Sequence, residues 1–368
     1  MTRIVFVYTA GMLLPKEKQS GTDLAVSDLF EELGRRWEIV PVGVDQIQTT
    51  FFQRQWGAMR DGAPTVIVDR LAGSTSAAKI LQPGDQVVLA DDYAGFLLRK
   101  GWNPAILIRH NAFHQSYAKV PRKGFVSHLK LGYTTWLARR FDRWTTLSAQ
   151  AVVAPAGTTE NHLKRLVPSG NVLPWRPRIP RQESGPIVPH PGKNLRGLFF
   201  ANFQYGPNFE AFEYICHVLG PALKEMDAVI RVCGPWSKER AQELNVPPNI
   251  EVCGFQEDLV AFAKECDFGI VPIFHGEGIL LKTLTLMGYG MPIVTSSMAS
   301  AGTGLRHGVD AFVADDLASM VEAISRLRDP KVRVEMGLSA WKAAEKFSKS
   351  SGVVEAIESV IGAAHPIR

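Results

Sequence analysis

One lysine lies in the middle of an apolar, leucine-rich segment that follows two closely spaced glycines. Lys282 stands within residues 274–296, where most of its neighbours are aliphatic. Buried ammonium groups are rare unless they meet a negative partner, so Lys282 predicts an anion nearby. Gly278, Lys282, Thr285 and Tyr289 are spaced by four, three and four residues, so a helix over residues 278–289 places all of them on one face.

The turn before this helix indicates which anion Lys282 is expected to meet. Gly276 and Gly278 allow the backbone to approach a ligand, and the first amides of a helix attract phosphate. With Lys282 one turn further on, the expected partner is a diphosphate. Glu277 could accept hydrogen bonds from sugar hydroxyls, and Thr285 could offer a hydroxyl to a ribose, so the set predicts a nucleotide-sugar. The alternative is a buried helix with a snorkelling lysine and a glycine-rich turn.

The amino-acid composition limits which class of protein this chain can form. The 368 residues are 46% hydrophobic and 21% charged, which is typical of a soluble globular protein with room for two domains. No apolar run approaches the ~20 residues of a membrane span. The first residues read as a strand rather than a signal peptide, so we expect a cytoplasmic protein, with the inner face of the membrane as an alternative.

The charge and the cysteine content limit the classes of ligand that the protein could bind. A net charge of +5 and a pI of about 9.0 suit nucleic acid, anionic lipid or a phosphate-bearing substrate. No RNA-binding signature and no Lys/Arg tail is present, so nucleic acid is not predicted as a partner. The four cysteines form no CxxC pair, so we predict no metal site and interpret them as buried thiols.

Apolar runs alternate with helical patterns along the chain, which predicts an α/β fold with mostly parallel sheets. A proline-rich stretch over residues 173–194 divides two such halves. We therefore predict an acceptor-binding domain over residues 1–175, a linker over 176–194 and a nucleotide-sugar-binding domain over 195–345. Residues 346–368 are predicted as a C-terminal helix, which could cross back to the first domain. The NAD fingerprint GxGxxG does not follow the first strand.

Strands and helices are predicted as follows. In the first half, strands are expected at residues 4–8, 38–42, 86–90, 105–109 and 151–154, and helices at 22–35, near 93–100, at 126–144 and at 158–166. In the second half, strands are expected within 195–203, 227–234, 249–255, 267–274 and 291–296, and helices at 207–223 (with Asn208 as N-cap), 278–290, 317–329 and 332–361.

The second half resembles the GT-B glycosyltransferases, in particular the large retaining family called family 4 or group 1. The matching positions are Gly254, Asp258, Leu259, Asp267, Pro272, Gly276, Glu277, Gly278, Lys282, Gly290 and Pro292. The resemblance implies two Rossmann-like domains facing across a cleft. It also implies sugar transfer from a nucleotide-diphosphate sugar to an acceptor hydroxyl, with retention and without a metal or another cofactor. The acceptor is a glycan, glycolipid or polysaccharide precursor, and UDP- and GDP-linked donors both stay open.

The resemblance also assigns roles to residues. The implied catalytic residues are His110, Glu277 and Lys282, and Asp91 is a candidate base or a helix N-cap. The implied substrate-binding residues are Ser20, Gly21, Thr22, Gly254, Phe255, Gly276, Gly278, Ile279 and Thr285. Thr285 stands where the family has a second glutamate, and Asn202 and Gln204 stand where the family has an Arg and a Lys. Lys282 could then carry the diphosphate charge more alone, or Arg231 or another basic group could help.

Two alternatives to this assignment were open. The protein could be a non-catalytic subunit that binds a sugar-nucleotide or a glycan, or an epimerase acting on a free nucleotide-sugar.

A basic and aromatic segment over residues 122–144 could rest on anionic lipid and meet a lipid-linked acceptor. It could equally be an ordinary helix that packs its aromatic side chains inward and leaves a solvated basic face.

Overall fold

The chain forms two compact units in a computed structural model. The structure describes residues 3–9, 21–44, 50, 52–53, 56, 80–90, 97–98, 105–118, 125–179, 182, 184–187, 194–276, 278–348 and 352–361. Of these, the N-terminal unit contains residues up to 177 together with 352–361, and the C-terminal unit contains 178–348.

The N-terminal unit is built on a parallel sheet of six described strands. Their order is β2-β1-β3-β4-β5-β6, with parallel pairing throughout. The strands are β1 (Arg3–Thr9), β2 (Glu38–Val44), β3 (Gln86–Leu89), β4 (Ala105–Ile108), β5 (Ala151–Pro155) and β6 (Val172–Trp175). The helices are α1 (Gly21–Gly34), α2 (Phe113–Ala118), α3 (Phe125–Ser148) and α4 (Thr159–Leu166).

The sequence pattern explains why this sheet is buried on both faces. Residues 151–155 of β5 are all buried, and Ile4, Val5, Phe6 and Val7 of β1 have no exposed surface. Helices cover both faces of a parallel sheet, so its strands read as continuous apolar runs rather than alternating ones. The five predicted N-terminal strands are present within one or two residues of their expected ends, whereas β6 and α2 were not predicted.

The C-terminal unit repeats the architecture with the strand order β12-β11-β10-β7-β8-β9. Its strands are β7 (Leu195–Phe200), β8 (Ala228–Cys233), β9 (Ile250–Gly254), β10 (Phe268–Val271), β11 (Ile293–Thr295) and β12 (Phe312–Val313). Counted from β7, this is the 3-2-1-4-5-6 order of a Rossmann fold. Its helices are α5 (Gly206–Tyr214), α6 (Gly220–Leu223), α7 (Ser237–Ala241), α8 (Leu259–Ala263), α9 (Leu281–Tyr289), α10 (Ser297–Ser300), α11 (Leu317–Arg326) and α12 (Pro330–Ser348).

Part of the stretch expected to be a linker packs into the C-terminal unit. Ile179 and Ile187 are buried in its hydrophobic core. The amide of Ile187 donates to the carbonyl of Tyr289 at 2.8 Å, and the amide of Gln182 donates to that of Gly288 at 3.1 Å. Residues 180–181, 183 and 188–193 lie outside the described part of the chain.

The last described helix belongs to the N-terminal unit. Helix α13 (Val353–Ile361) buries Val353, Val354 and Ile357 there. Its Glu358 accepts a hydrogen bond from the guanidinium of Arg36 at 2.8 Å. The chain therefore leaves the N-terminal unit at residue 177, forms the C-terminal unit and then returns.

Candidate anion site in the C-terminal unit

The strand order of the C-terminal unit locates its ligand crevice. Strand β7 lies between β8 and β10, so the order of the sheet reverses between β7 and β10. Open α/β sheets bind ligands outside the carboxyl ends of their strands at such a reversal. Here β7 leads through residues 201–205 into α5, and β10 leads through residues 272–280 into α9.

Lys282 lies at this reversal and contacts a residue from the neighbouring loop. Its Nζ donates to Oδ1 of Asn208 at 2.5 Å and lies 5.5 Å from the ring centroid of Phe199. Asn208 is buried and donates its own Nδ2 hydrogen to the carbonyl of Asn202 at 2.7 Å. The two segments that follow β7 and β10 are thus tied together by one ammonium–amide contact.

The charge of Lys282 is not neutralised within the described part of the chain. No described carboxylate forms an ion pair with it, and its one hydrogen-bond partner is a neutral amide. Burial lowers the pKa of Lys282 to about 7, because desolvation disfavours the charged form. A lysine in this condition would gain stability from an added anion, and the anion expected from the sequence stays a prediction.

Helix α9 begins at Leu281, not at Gly278 as predicted. Gly278 has a φ of 80°, which excludes it from a helix, and Leu280 is extended with a ψ of 112°, so the helix begins only at Leu281. Lys282 therefore lies in the first turn rather than one turn further on. Among the described residues, the amides of Leu281 and Lys282 have no backbone acceptor. The ammonium and the amide dipoles consequently meet at one helix end.

The other predicted residues of this segment lie close to Lys282 in the chain. Thr285 is half-buried, and its hydroxyl donates to the carbonyl of Leu281 at 2.9 Å, so only its oxygen lone pairs are open to a ribose. Ile279 packs against the core. Glu277 lies outside the described residues. Of the predicted substrate residues that the structure describes, Gly276, Gly278, Ile279 and Thr285 thus belong to the segment that follows β10.

A second part of the predicted site follows β8 and β9. Gly254 ends β9 with a φ of 77°, and Phe255 beyond it is 45% exposed. Trp236, which follows β8, is 41% exposed and has a φ of 67°, a conformation rare outside glycine. A Cβ atom added to Gly254 would lie 2.8 Å from Cε of Lys238. Two exposed aromatic rings and a further ammonium group thus lie at neighbouring strand ends.

These contacts change two assignments made from the sequence and add one residue that it did not indicate. Asn208 is not the N-cap of its helix, because Tyr205 occupies that position. Arg231 lies within β8 and pairs with Glu251 and Glu265 at 3.2 and 2.8 Å, so it is not free to help bind a diphosphate. Lys238 was missed, since nothing in the sequence indicates that the turn after β8 comes close to Gly254.

In the N-terminal unit, His110 follows β4 and is buried. Its Nε2 lies 3.4 Å from the carbonyl of Ala90, which follows β3, and its ring packs edge-on against Trp175 at 5.7 Å. Gly21 and Thr22 form the first residues of α1. Ser20 and Asp91, as well as most of the helix predicted near residues 93–100, fall in the part of the chain that the structure leaves undescribed.

A buried ion cluster next to His110 was missed from the sequence. Arg109 and Asp142 have no exposed side-chain surface, and Nη2 of Arg109 lies 2.6 Å from Oδ1 of Asp142. Nδ1 of His114 lies 2.7 Å from Oδ2 of Asp142, and the guanidinium also donates to the carbonyl of Asn111 at 2.9 Å. Burial raises the pKa of Asp142, but the charge of Arg109 and hydrogen bonds from His114 outweigh it and lower the pKa below its ordinary value.

The described residues contain neither a metal-binding cluster nor a membrane-spanning helix. No group of three or more His, Cys, Asp or Glu side chains is arranged there to hold a metal ion. No helix in those ranges is long and apolar enough to cross a membrane. Cys216, Cys233 and Cys266 are buried free thiols, and Cys253 is partly buried.

Comparisons with known proteins agree with the fold. Sucrose-phosphate synthase from Thermosynechococcus elongatus superposes with a TM-score of 0.70 at 15% identity, covering 98% of this chain and 97% of that one. HepE from Anabaena, solved with UDP-glucose, gives 0.64 at 13% identity and 98% of each chain. A mutant of TarM from S. aureus, solved with UDP, gives 0.61 at 10% identity, and here the match spans 80% of this chain and 59% of that one.

The fold is therefore that of the GT-B glycosyltransferases, with two Rossmann-like units. Residues 195–329 match the model of the family described as glycosyl transferases group 1, so the C-terminal unit carries a group 1 glycosyltransferase domain. No curated protein sequence matches the chain. The resemblance to the group 1 GT-B glycosyltransferases is confirmed.

Proposed function

We propose that the protein transfers a sugar from a nucleoside-diphosphate sugar to an acceptor hydroxyl. The observation that carries the proposal is the half-buried side chain of Lys282, whose ammonium is held by a neutral amide at the sheet reversal of a group 1 glycosyltransferase domain. A donor diphosphate at the first turn of α9 would supply the negative charge that the described residues do not. HepE was solved with UDP-glucose and TarM with UDP, so a UDP-sugar is the first donor to test.

In the proposed reaction, the acceptor oxygen bonds to the anomeric carbon while the bond from that carbon to the diphosphate oxygen breaks. Negative charge then accumulates on the departing diphosphate, which takes up the proton of the acceptor hydroxyl. Lys282 and the free amides of Leu281 and Lys282 stabilise that charge. A preorganised cation of this kind typically contributes at least a hundredfold in rate. Catalysis without a metal is part of the proposal and follows from the family resemblance. Transfer with retention is part of the proposal and follows from the family resemblance.

The rest of the donor is placed by the residues around this turn. Gly276 and Gly278 hold positive φ values and so bring the backbone close to the diphosphate and the sugar. Thr285 would accept a hydrogen bond from a ribose hydroxyl. The nucleotide base would lie toward Gly254 and Phe255, where an exposed aromatic ring offers a stacking surface.

The remaining site residues keep the roles that the resemblance gives them. Glu277 is proposed to accept hydrogen bonds from the donor sugar. His110 is proposed to contact the sugar from the N-terminal unit, and Ser20, Gly21 and Thr22 to contribute to its binding loop. Asp91 is proposed as a base only if the enzyme inverts. The acceptor is proposed to be a sugar or a glycolipid.

The test combines binding and turnover. Thermal unfolding with UDP, GDP, ADP and TDP identifies the base, because a bound ligand stabilises the fold by mass action. Donor hydrolysis is then measured with the matching nucleotide-sugars for the wild type, Lys282→Met and the exposed-lysine control Lys224→Met. We expect Lys282→Met to lose at least about a hundredfold in turnover and the control to lose none. Turnover that survives Lys282→Met would refute the proposed role.

A second candidate is a non-catalytic subunit that binds a nucleotide-sugar. One observation favours it: Thr285 replaces the family's second glutamate, and its hydroxyl hydrogen is engaged by the carbonyl of Leu281. The same experiment separates the two candidates. Nucleotide binding without hydrolysis or transfer, for every donor tested, would favour the binding subunit.

A further inference from the structure

One side of α3 carries apolar and basic side chains that face outward. The outer stripe of this helix consists of Leu129, Tyr133, Trp136, Arg140, Arg143 and Leu147. Steps of four and three residues separate its members, which is the spacing of one helix face. At 1.5 Å per residue it runs for roughly 27 Å. The stripe thus forms a continuous surface rather than a scatter of single residues.

The apolar members of the stripe are exposed to an unusual degree. Leu129 is 61% exposed, Trp136 51%, Leu147 51% and Tyr133 43%. The rings of Tyr133 and Trp136 stack at 6.0 Å with an interplanar angle of 24°. A contiguous exposed apolar surface of this kind marks an interaction site. The alternative considered from the sequence, with the aromatic side chains packed inward, therefore fails for Tyr133 and Trp136.

The opposite side of α3 already has partners within the N-terminal unit. Leu137 and Phe141 are buried in the unit, and Asp142 is held by the ion pair with Arg109. This inner side fixes the rotation of the helix about its axis. The outer stripe cannot turn inward without breaking a fully buried ion pair, so its exposure is built into the fold.

The charge on the outer side has one sign. Lys130, Arg139, Arg140 and Arg143 are exposed, and no ion pair joins them to a described carboxylate. The single acidic residue between 125 and 148 is the fully buried Asp142. The guanidinium of Arg140 lies 4.9 Å from the ring centroid of Trp136, which keeps it beside the aromatic pair. A partner must therefore offer negative charge and accept aromatic and aliphatic side chains.

We propose that the outer stripe of α3 docks on an anionic phospholipid bilayer. Interfacial helices bind such surfaces with Lys and Arg toward the headgroups and Trp, Tyr and Leu toward the acyl chains. Aromatic rings with polar edges favour the membrane–water boundary. The docking itself needs no donor or acceptor. That it brings the enzyme to a lipid-anchored acceptor is a consequence that rests on the proposed function.

Vesicle flotation tests the docking with the full-length protein. Vesicles of phosphatidylcholine with 30–40% phosphatidylglycerol are compared with pure phosphatidylcholine, at about 0.05 M and 0.5 M salt. We expect binding only to the anionic vesicles, weakened at high salt. Each basic residue near an anionic surface adds about fivefold in affinity. Arg140→Gln with Arg143→Gln should therefore weaken binding by about 25-fold, and Trp136→Ala by about tenfold.

A matched control removes the same charge from elsewhere in the unit. Arg35→Gln with Arg165→Gln changes two exposed arginines outside the stripe and should alter vesicle binding less than twofold. Equal losses in both double variants, or no binding by the wild type, would overturn the proposal. A monomer–dimer change in Trp136→Ala without vesicle binding would also overturn it, in favour of contact with a second copy. Donor hydrolysis should be unchanged in every stripe variant, so loss of turnover and loss of docking are scored separately.

Discussion

Replacing Lys282 by Met should stabilise the ligand-free protein while abolishing its activity. In the fold, the pKa of Lys282 lies at about 7, against 10.5 for an ordinary lysine. At pH 7 this difference makes the folded state roughly 4 kcal/mol less stable than it would be with a lysine of unchanged pKa. Methionine has a similar length and no charge, so the variant avoids this desolvation.

The gain is reduced by the partner that the variant leaves behind. Asn208 would lose the hydrogen bond that its Oδ1 accepts from Lys282, and an unsatisfied buried acceptor costs about 1–3 kcal/mol. The expected net stabilisation is therefore about 1–3 kcal/mol. For a unit of this size, each kcal/mol moves the midpoint by roughly 2–4 °C. Scanning calorimetry of the ligand-free protein at pH 7 should show a shift of about 2–12 °C.

The pH dependence provides an independent check on the cause. Between pH 7 and 10.5 the folded wild type binds fewer protons at this group than the unfolded chain does, so its stability rises with pH relative to the variant. The advantage of Lys282→Met should therefore shrink as the pH increases from 7 toward 10. A variant that is less stable than the wild type, or an advantage independent of pH, would refute the reasoning from burial.

Three further outcomes follow from the described contacts. The affinity for an intact nucleotide-sugar, measured by calorimetric titration, should be greatest below pH 7 and should fall up to tenfold per pH unit above it. The reason is that the anion binds the protonated form of Lys282. An affinity that does not change with pH would contradict this. Asp142→Ala should lower the free energy of unfolding by about 3–5 kcal/mol in urea, and adding Arg109→Met should recover part of the loss, since no charge is then left unpaired. Gly290→Ala should lower stability by at least about 2 kcal/mol, because φ is 68° and the added Cβ would lie 2.4 Å from Cβ of Pro186; an unchanged midpoint would count against this.

Much of the fold could be predicted because strand burial leaves a clear pattern. Parallel strands covered on both faces read as apolar runs, and β1, β5, β7 and β8 were recognised on that basis. Strand β6 carries Pro174 within a proline-rich stretch, so its sequence resembles a linker. Strand β12 has two residues, too short for any periodicity. Both strands exist through pairing with neighbours that are distant in sequence.

Only those parts of the candidate site that depend on neighbouring residues in the sequence could be predicted. The anion expected near Lys282 follows from a charge in an apolar context, and the structure places that charge at a helix terminus. The contact with Asn208 joins residues 74 positions apart, and no local pattern indicates it. The same holds for Arg109 and Asp142, whose pairing across 33 positions depends on how α3 packs against β4.

The return of the chain to its first unit has a consequence for biosynthesis. A ribosome completes the C-terminal unit before it has made helix α13, whereas the N-terminal unit must wait for its final layer. Until then the surface that receives Val353 and Ile357 stays uncovered. The unit translated first is thus the unit finished last. A nonsense mutation near residue 350 would leave the C-terminal unit intact and would damage the N-terminal unit, which the other end of the gene encodes.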